Sequence, residues 1–338
     1  MGQSASAPTT TDTLPTYEIG SFVGRMWSAV FRQGAYCLRC PSTPTLEGKR
    51  VLITGGNNGI GLGTCRGLLH RSAHVVMLSR NAERAAEAIA MLMEEAEVKA
   101  GGGSIRHIPV DLGDLDSIVE CFTHAELQEQ FDVVICNAGV WPSEHRLTKQ
   151  NHEQAFGVNV LGHHLLVRLM QKRSLFRDSS TLIWLTGDIY CKAVDCTTDF
   201  TFEDASGGEM AYARSKLGIM WIGREFHRRY PEQKMHIVHP GVVDTDLVTM
   251  GAIGASIKRA LLIDINDGAQ ATLFCATQPG LENGTYIHNT LGKVILPETD
   301  HAMDHERAAA MWDVCEQLCG THLDGASAGH KEVCSASV

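Results

Sequence analysis

Tyr212 and Lys216 are two side chains whose types and spacing suit proton transfer. They lie four residues apart in the segment YARSK, so both project from one face of the helix predicted at 209–229. A tyrosine with its ordinary pKa of about 10 exchanges protons poorly at neutral pH, and an adjacent ammonium stabilises the phenolate and lowers that pKa. The pair is a candidate acid/base site; the alternative is an incidental tyrosine on a solvated helix face.

The segment VLITGGNNGIGLGT at 51–64 contains backbone that could bind a phosphate. Main chain without Cβ atoms can approach a pyrophosphate closely, and a helix that begins near residue 60 offers unpaired N–H groups and the positive end of its dipole. Glycines at 55, 59 and 61 have the spacing G-x-x-x-G-x-G, which favours one branch of the dinucleotide-binding folds. By itself, such a cluster could equally be a flexible turn.

The elements around these residues alternate between short apolar strands and amphipathic helices. Strands are predicted at 50–54, 74–78, 104–110, 132–136, 181–186, 235–239 and 284–288, and helices at 60–71, 82–98, 114–128, 148–172, 209–229 and 267–277. This order predicts an α/β protein with a single doubly wound Rossmann fold, in which a mostly parallel seven-stranded sheet has helices on both faces. Ligands of such sheets bind beyond the carboxyl ends of the strands, where the glycine cluster lies, so a dinucleotide is the leading ligand.

Composition and charge exclude several classes of function. The formal net charge is −10 and no basic stripe is visible, so no nucleic-acid partner is expected. The eleven cysteines are odd in number and follow no secretory signal, which predicts reduced thiols and a cytoplasmic protein. Cys37 and Cys40 have no second ligand pair at zinc spacing, so no metal site is predicted.

Four further motifs occur in the order and at the separations of a known family. They are Asn137-Ala138-Gly139, Asn159 within VNVLGHHLL, Tyr212 with Lys216, and HPGVVDT at 239–245. With these motifs, residues 46–320 resemble the short-chain dehydrogenase/reductase family, and the C-terminal part is similar to the retinol dehydrogenase and WW-domain oxidoreductase group. The resemblance implies an oxidoreductase that transfers a hydride between a nicotinamide and a carbonyl/alcohol pair.

The resemblance also assigns roles to individual residues. It implies that Tyr212 is the general acid/base, that Lys216 also holds the nicotinamide ribose, and that Asn159 anchors a water between Lys216 and solvent. The cofactor-binding residues that it implies are Gly55, Asn57, Asn58, Gly59, Ile60, Gly61, Ser79, Arg80, Asp111, Leu112, Asn137, Ala138, Gly139, Tyr212, Lys216, Pro240, Gly241, Val243 and Thr245.

The tip of the second predicted strand indicates which nicotinamide is bound. An acidic residue there would pair with the ribose 2′-OH and repel a 2′-phosphate. Ser79 stands in that position and Arg80 follows it. A guanidinium can bind a phosphate through two or more charge-assisted hydrogen bonds, so the sequence predicts NADP(H) over NAD(H). The alternative is that Arg80 is a solvated loop charge.

The end of the fifth strand departs from the family's pattern, in which the second of two serines polarises the substrate carbonyl. Thr186 takes the first position and Gly187 takes the second. Thr186 is the remaining candidate catalytic hydroxyl, but neighbouring side chains of a strand face opposite sides, so a local bend would have to aim it. Asp188 is the other candidate, although a carboxylate beside a developing oxyanion is unfavourable unless it is protonated or bridged by water.

The predicted function is NADP(H)-dependent hydride transfer to or from a lipophilic carbonyl/alcohol, of the retinoid, steroid or fatty-aldehyde class that the resemblance implies. Losing one oxyanion donor costs about 10²–10³ in rate, and Tyr212 still supplies a proton to the same oxygen. A catalytically impaired homologue that binds the cofactor as a regulatory or scaffolding protein is the alternative. A homodimer is compatible with either.

The N-terminus carries a candidate membrane anchor. Gly2 and Ser6 match the N-myristoylation pattern, and the amphipathic stretch at 17–40, with Cys37 and Cys40 as acylation candidates, could supply a second signal. Packing of that stretch on the domain is the alternative. Residues 1–45 are therefore predicted to be a flexible segment, peripheral on the cytosolic face of a membrane, and residues 321–338 a disordered tail.

Overall fold

A computed structural model of the chain describes residues 14–18, 37–95, 98, 101–193, 196, 208–243 and 262–333. The described residues form one sheet of nine strands: β1 Thr16–Glu18, β2 Arg50–Thr54, β3 His74–Ser79, β4 Ser104–Pro109, β5 Phe131–Cys136, β6 Phe176–Leu185, β7 Lys234–His239, β8 Thr285–His288 and β9 Gly292–Ile295. Their spatial order is β1-β9-β8-β7-β6-β5-β2-β3-β4.

Strands β2 to β8 are the seven predicted strands, and every neighbouring pair among them is parallel. The predicted fold class is therefore confirmed, while the sheet has nine strands and not seven. The two additional strands lie at one edge, where β9 pairs antiparallel with β8 and β1 pairs parallel with β9. β1 (TYE) and β9 (GKVI) are short and mix apolar with charged residues, so neither shows a continuous apolar run in the sequence.

The described helices cover both faces of the sheet. They are α1 Gly59–Leu69, α2 Ala82–Glu94, α3 Leu115–Cys121, α4 Gln154–Phe156, α5 His163–Lys172, α6 Gly208–Arg229, α7 Ile265–Gly268, α8 Gln270–Thr277 and α9 His305–Val333. A π-helical segment, Gly157–Gly162, joins α4 to α5, and short 3₁₀ turns occupy Ala125–Leu127, Asp188–Lys192 and His301–Met303. Among the helices of the described ranges, none has the length and apolarity needed to cross a membrane.

Two buried clusters, one on each face of the sheet, hold the helices in place. Phe156, Trp221 and Trp312 lie in the cluster beneath α5, α6 and α9. Leu68 of α1 and Leu273 of α8 lie in the cluster on the opposite face. All residues of β5 are buried, as expected for a central parallel strand covered on both sides. The carboxyl ends of the strands are consequently the part of the sheet left open to ligands.

The N-terminal prediction of a flexible segment at 1–45 is wrong where the structure describes that segment. β1 is part of the sheet, and the main-chain N–H of Leu38 donates to the carbonyl of Asn289 at 2.6 Å. Arg71 donates to the carbonyl of Pro41 at 2.7 Å, which fixes the following stretch. The local sequence could not predict these contacts, because they join residues far apart along the chain. Gly2, Ser6 and residues 19–36 lie outside the described residues.

The predicted disordered tail at 321–338 is also wrong as far as Val333, since α9 continues to that residue. Leu323 is buried, and the Lys172 ammonium donates to the Leu323 carbonyl at 3.0 Å. His322 lies 3.1 Å from the Asp116 carboxylate. The glycines and serines of this stretch suggested a loose end, whereas docking on α3 and α5 favours the helix.

Candidate active site

A cleft of about 360 Å³ opens at the carboxyl ends of the central strands. It lies where β2 is flanked by β3 on one side and β5 on the other, which is the switch point at which doubly wound sheets bind ligands. All of the residues predicted to contact a cofactor from Gly55 to Gly139 line it. The lining residues are Gly55, Asn57, Asn58, Gly59, Ile60, Gly61, Leu78, Ser79, Arg80, Asn81, Arg84, Val110, Asp111, Leu112, Asn137, Ala138, Gly139, Val140 and Val158.

The turn between β2 and α1 brings bare main chain to the floor of this cleft. Gly55 and Gly59 have φ values of +67° and +53°, in the region that favours glycine. A Cβ atom at Gly61 would lie 2.1 Å from the carbonyl oxygen of Gly55, so only glycine fits there. Asn58 caps α1 by accepting from the Gly59 N–H at 2.7 Å. The residues present therefore fit a dinucleotide, whose pyrophosphate needs close backbone approach and a helix N-terminus.

A buried chain of hydrogen bonds fixes the loop after β5 against this turn. The Thr54 hydroxyl oxygen accepts from the main-chain N–H groups of Asn137 and Ala138 at 3.0 and 2.9 Å. It also lies 2.8 Å from Nε2 of His163, whose Nδ1 lies 3.0 Å from the Asn159 carbonyl. Since that carbonyl can only accept, these contacts assign the proton to Nδ1, and Thr54 donates to Nε2. Burial lowers the pKa of His163 to about 4, which keeps the ring neutral.

His163 is a residue that the sequence analysis does not single out. Its only signal is a polar pair of histidines inside an otherwise apolar helical pattern. The structure makes it the link between the glycine turn and the π-helical segment that carries Asn159.

Two guanidinium groups lie where the cleft passes the tip of β3. Arg80 is largely exposed and lies 3.7 Å from the Asp111 carboxylate, and Arg84 follows one helical turn later in α2. The sequence analysis missed Arg84, although its spacing of four residues from Arg80 was the available signal. The Ser79 hydroxyl is 3.1 Å from Nε2 of His107. Two guanidinium groups therefore face this end of the cleft, where Ser79 occupies the tip of β3 and Asp111 supplies the neighbouring carboxylate.

Tyr212 and Lys216 lie together on α6, next to Gly139 of the cleft lining. The Lys216 nitrogen is 5.3 Å from the centre of the Tyr212 ring and donates to the Leu185 carbonyl at 3.2 Å. A Cβ atom on the cleft-lining Gly139 would lie 3.6 Å from that nitrogen, so the ammonium borders the cleft directly. The predicted pair is thus brought together on α6 beside the predicted nucleotide site.

Burial sets the protonation of this pair. It lowers the pKa of Lys216 to about 8 and raises the pKa of Tyr212 above its ordinary value. Contrary to the expectation from the sequence, the pKa of Tyr212 lies above its ordinary value, because burial of the phenol raises it. Near neutral pH, Tyr212 therefore holds its proton and Lys216 is mostly charged.

Asn159 connects the acid/base pair to the cleft through its side-chain amide. The amide oxygen accepts from the Val140 N–H at 2.8 Å, and the amide nitrogen donates to the Val140 carbonyl at 3.0 Å and to the Ser215 hydroxyl at 2.9 Å. These bonds join the loop after β5 to α6 next to Lys216. The water that the resemblance assigns to Asn159 stays a prediction.

Thr186 does not supply a hydroxyl to the substrate side of the site. It is buried, and its hydroxyl donates to the main-chain carbonyl of Lys216 at 2.9 Å. The bend that could have redirected it is absent, because its N–H continues the sheet by donating to Val238 at 2.9 Å. The prediction of Thr186 as a catalytic residue is therefore corrected to a residue that positions α6.

Asp188 likewise points away from the acid/base pair, into a buried cluster. Its carboxylate accepts from the Tyr286 hydroxyl at 2.7 Å and lies 3.1 Å from Nε2 of His288. Nε2 of His239 is 3.9 Å away. Burial by itself raises the pKa of this carboxyl, but the two imidazoles and the Tyr286 bond hold it well below its usual value.

One carboxylate and two imidazoles are also a donor set that a metal ion could use. The second nitrogens of the rings argue against it. Nδ1 of His288 accepts from the Thr290 N–H at 3.0 Å, and Nδ1 of His239 accepts from the Asp188 N–H at 3.3 Å. Each ring then points an Nε2–H group at the carboxylate. The cluster is thereby a set of hydrogen bonds that ties the ends of β6, β7 and β8 together.

The segment predicted to contact the nicotinamide carboxamide follows β7. Gly241 has a φ of +91°, a conformation that favours glycine at this turn. Val243 is buried and pairs with Ile263, and its side chain packs on Gly268, so only its main chain could face a cofactor. Pro240, Gly241 and Val243 are not among the residues that line the cleft. Thr245 lies outside the described residues.

The sequence of this chain is similar to a known protein family and to individual proteins within it. The pattern of the family described as short chain dehydrogenase matches residues 49–189. Retinol dehydrogenase 14 of Homo sapiens is 31% identical over 297 residues, covering 81% of this chain and 87% of that protein. The WW domain-containing oxidoreductase of Homo sapiens is 29% identical over 303 residues, covering 83% of this chain and 70% of that protein.

Solved structures share the fold. An uncharacterised protein from Mycobacterium paratuberculosis superposes with a TM-score of 0.65 at 24% identity, covering 85% of this chain and 96% of its own. A short chain dehydrogenase from Burkholderia cenocepacia, crystallised in complex with NADP, gives a TM-score of 0.56 at 22% identity, covering 74% of this chain and 99% of its own.

Proposed function

Since the chain belongs to the short-chain dehydrogenase family, we propose that it is an oxidoreductase that uses NADP(H) to interconvert a lipophilic carbonyl compound and its alcohol. One observation carries the proposal. The Tyr212 and Lys216 pair borders, through Gly139, the same cleft whose floor is the bare backbone at Gly55 and Gly61. The acid/base pair and the backbone proposed to bind the nucleotide therefore lie next to the same cleft.

The cleft residues would hold the cofactor along its length. The glycine turn and the start of α1 suit the pyrophosphate, and Asp111 with Leu112 suits the adenine. Arg80 and Arg84 suit a 2′-phosphate, which favours NADP(H). When bound, the nicotinamide supplies a hydride to the carbonyl carbon or accepts one from the alcohol.

The protein's part of the reaction is a proton transfer at Tyr212. In reduction, the Tyr212 hydroxyl donates its proton to the substrate oxygen as the carbonyl carbon gains the hydride, so the carbonyl becomes an alcohol. The charged Lys216 stabilises the phenolate that remains, and the phenolate regains a proton from solvent.

A lipophilic substrate is proposed from the relatives alone. Two of the proteins similar to this chain bear the name retinol dehydrogenase 14. Gly187, which leaves the usual serine position without a hydroxyl, supports the second candidate, a homologue that binds the cofactor and has lost turnover.

A titration of purified protein with NADPH and NADH, followed by reduction of an aldehyde panel, tests the proposal. Arg80→Ala and Arg84→Ala are each expected to weaken NADPH about tenfold and to leave NADH unchanged, because each removes a charge-assisted contact to the 2′-phosphate. Arg106→Ala, an exposed arginine of β4 outside the cleft lining, is the matched control. Tighter binding of NADH, unaffected by Arg80→Ala, would contradict the cofactor assignment. NADPH binding without turnover of any aldehyde would favour the second candidate.

We also propose that the N-terminus attaches the protein to a membrane surface through myristate on Gly2. One acyl chain binds membranes only marginally, so the apolar and basic residues between β1 and Leu38 would supply the second signal. Labelling cells with a clickable myristate should mark the wild type and not Gly2→Ala. Equal labelling of both proteins, or no labelling of either, would refute the anchor.

A further inference from the structure

The indole ring of Trp141 covers the phenol ring of Tyr212, the proposed proton donor. The indole of Trp141 stacks on Tyr212 with ring centroids 4.5 Å apart and an angle of 9° between the planes. Trp141 and Tyr212 are both only partly buried, so the stacked pair borders accessible space. One face of the phenol is therefore closed by the indole.

Contacts of the residues on either side of Trp141 hold this part of the chain in position. Both polar groups of the Val140 main chain are bound by the Asn159 amide, at 2.8 and 3.0 Å. On the other side of Trp141, the Pro142 carbonyl packs so tightly against the start of α6 that a Cβ on Gly208 would lie 1.6 Å from its oxygen. Trp141 is thus fixed between two anchors, and the second of them is the helix that carries Tyr212.

The position of the Trp141 indole restricts the shape of a substrate. A carbonyl oxygen must approach the edge of the phenol to accept its proton, and the groups on the carbonyl carbon then extend to both sides of that contact. Any group on the side of the stacked face meets the indole. An aldehyde can turn its hydrogen toward the indole, whereas a ketone has carbon on both sides.

We propose that Trp141 is a specificity-determining residue that selects aldehydes and primary alcohols over ketones and secondary alcohols. The inference rests on the function proposed above, and it adds a residue and a shape criterion that the Tyr212 and Lys216 pair alone does not supply. Trp141 itself takes no part in the proton transfer.

The test compares octanal with its isomer 2-octanone as substrates of the full chain with NADPH. The wild type is expected to prefer octanal in kcat/KM. Trp141→Leu should lower this preference by about tenfold or more, which is the size of effect that a small group in an apolar pocket produces. Trp141→Phe, which keeps a stacked ring, should retain most of the preference, and Trp141→Met provides a second variant without a ring. Thermal melting and NADPH titration confirm that each variant is folded.

Two results with an active enzyme would overturn the inference. The first is a wild type that reduces both isomers equally well. The second is a preference for octanal that survives in folded Trp141→Leu and Trp141→Met.

Failure of the proposed function would be seen as a wild type without reductase activity, and the inference about Trp141 can be tested separately in that case. If the wild type reduces neither isomer, calorimetry of 1-octanol and 2-octanol binding to the NADPH-loaded protein still decides the inference. Tighter binding of 1-octanol by the wild type, lost in Trp141→Leu, supports a specificity role; equal binding of the two alcohols by the wild type refutes it.

Discussion

Gly187 stands where the resemblance to the family predicts a serine, and its surroundings would accept a side chain. Its φ and ψ of −154° and 143° are extended angles that any residue adopts. A Cβ there would be in ordinary contact with Ile189 and Lys216, at 3.8 and 3.9 Å. No steric reason therefore requires glycine at this position, and the hydroxyl that the family uses could be restored.

Gly187→Ser is expected to raise kcat for aldehyde reduction about tenfold or more, because it returns a hydrogen-bond donor to the substrate oxygen. Gly187→Ala is the control, since it adds the Cβ without the hydroxyl. Steady-state oxidation of NADPH measures both variants. If Ser and Ala variants have the same rate, or if Ser lowers the rate, the site is organised around the glycine and the family's arrangement does not apply.

Lys216 makes the activity depend on pH in a defined direction. Its pKa of about 8 means that the ammonium is present at neutral pH and is lost as the pH rises through that value. Aldehyde reduction should be level up to about pH 7 and should fall as the pH rises through about 8, since a neutral Lys216 no longer stabilises the phenolate. Lys216→Arg, whose guanidinium stays charged, should be slower but should show no such fall. A wild-type profile that is level well above pH 8 would refute this role.

Residue types and spacing identified the Tyr212 and Lys216 pair and the glycine turn as separate candidates, and the family resemblance joined them in one candidate site. The protonation of Tyr212 could not be predicted, because desolvation depends on what the fold packs around the ring. The same limit applies to His163, whose partners Thr54 and Asn159 are distant in sequence.

At the scale of elements, the Asp188 cluster holds the ends of three parallel strands together. Asp188 follows the end of β6. Its carboxylate contacts Tyr286 and His288 of β8 and lies beside His239 of β7. His239 immediately precedes the turn at Gly241 that is predicted to meet the nicotinamide. The cluster therefore positions the cofactor segment relative to the acid/base pair.

Asp188→Asn is expected to lower the free energy of unfolding by about 3 kcal/mol at neutral pH, because an amide nitrogen would face buried donors where a carboxylate oxygen accepted them. Urea unfolding followed by circular dichroism measures the difference. Asp178→Asn, at an exposed carboxylate of the same strand, is the control.

The pH dependence of that difference has a definite sign. The folded state holds the pKa of Asp188 below its usual value of 3.8, so its stabilisation is present above that pH and is lost as the pH falls further. The gap between wild type and Asp188→Asn should be constant from neutral pH to about pH 5 and shrink below about pH 4. A gap that grows in acid would contradict the assignment.

The elements that could be predicted are those with long or strongly apolar patterns. Central strands such as β5 were recovered because they are continuous apolar runs, and strands such as β4 because they alternate with amphipathic helices along the chain. Strands β1 and β9 and the end of α9 depend on docking against residues elsewhere in the chain, such as the contact between Lys172 and Leu323. Such contacts cannot be predicted from the local sequence, because they depend on the folded chain.

At the scale of the whole molecule, the open edge of the sheet unites features that are far apart in sequence. The glycine turn follows β2, Arg80 follows β3, Gly139 follows β5, and Tyr212 lies on the helix after β6. Topology alone brings them to one cleft, since all of these strands are parallel and end at the same edge. The choice of NADP(H) and of an aldehyde rests on side chains around that edge and not on the fold.

The most direct measurement is a comparison of Tyr212→Phe with the wild type in NADPH binding and in aldehyde reduction. If Tyr212 donates the proton beside the nicotinamide, the variant should bind NADPH within about threefold of the wild type while kcat falls by about 10² or more, because only the hydroxyl is removed. A variant that reduces aldehydes at the wild-type rate, or a wild type whose cleft binds no NADPH, would contradict the account.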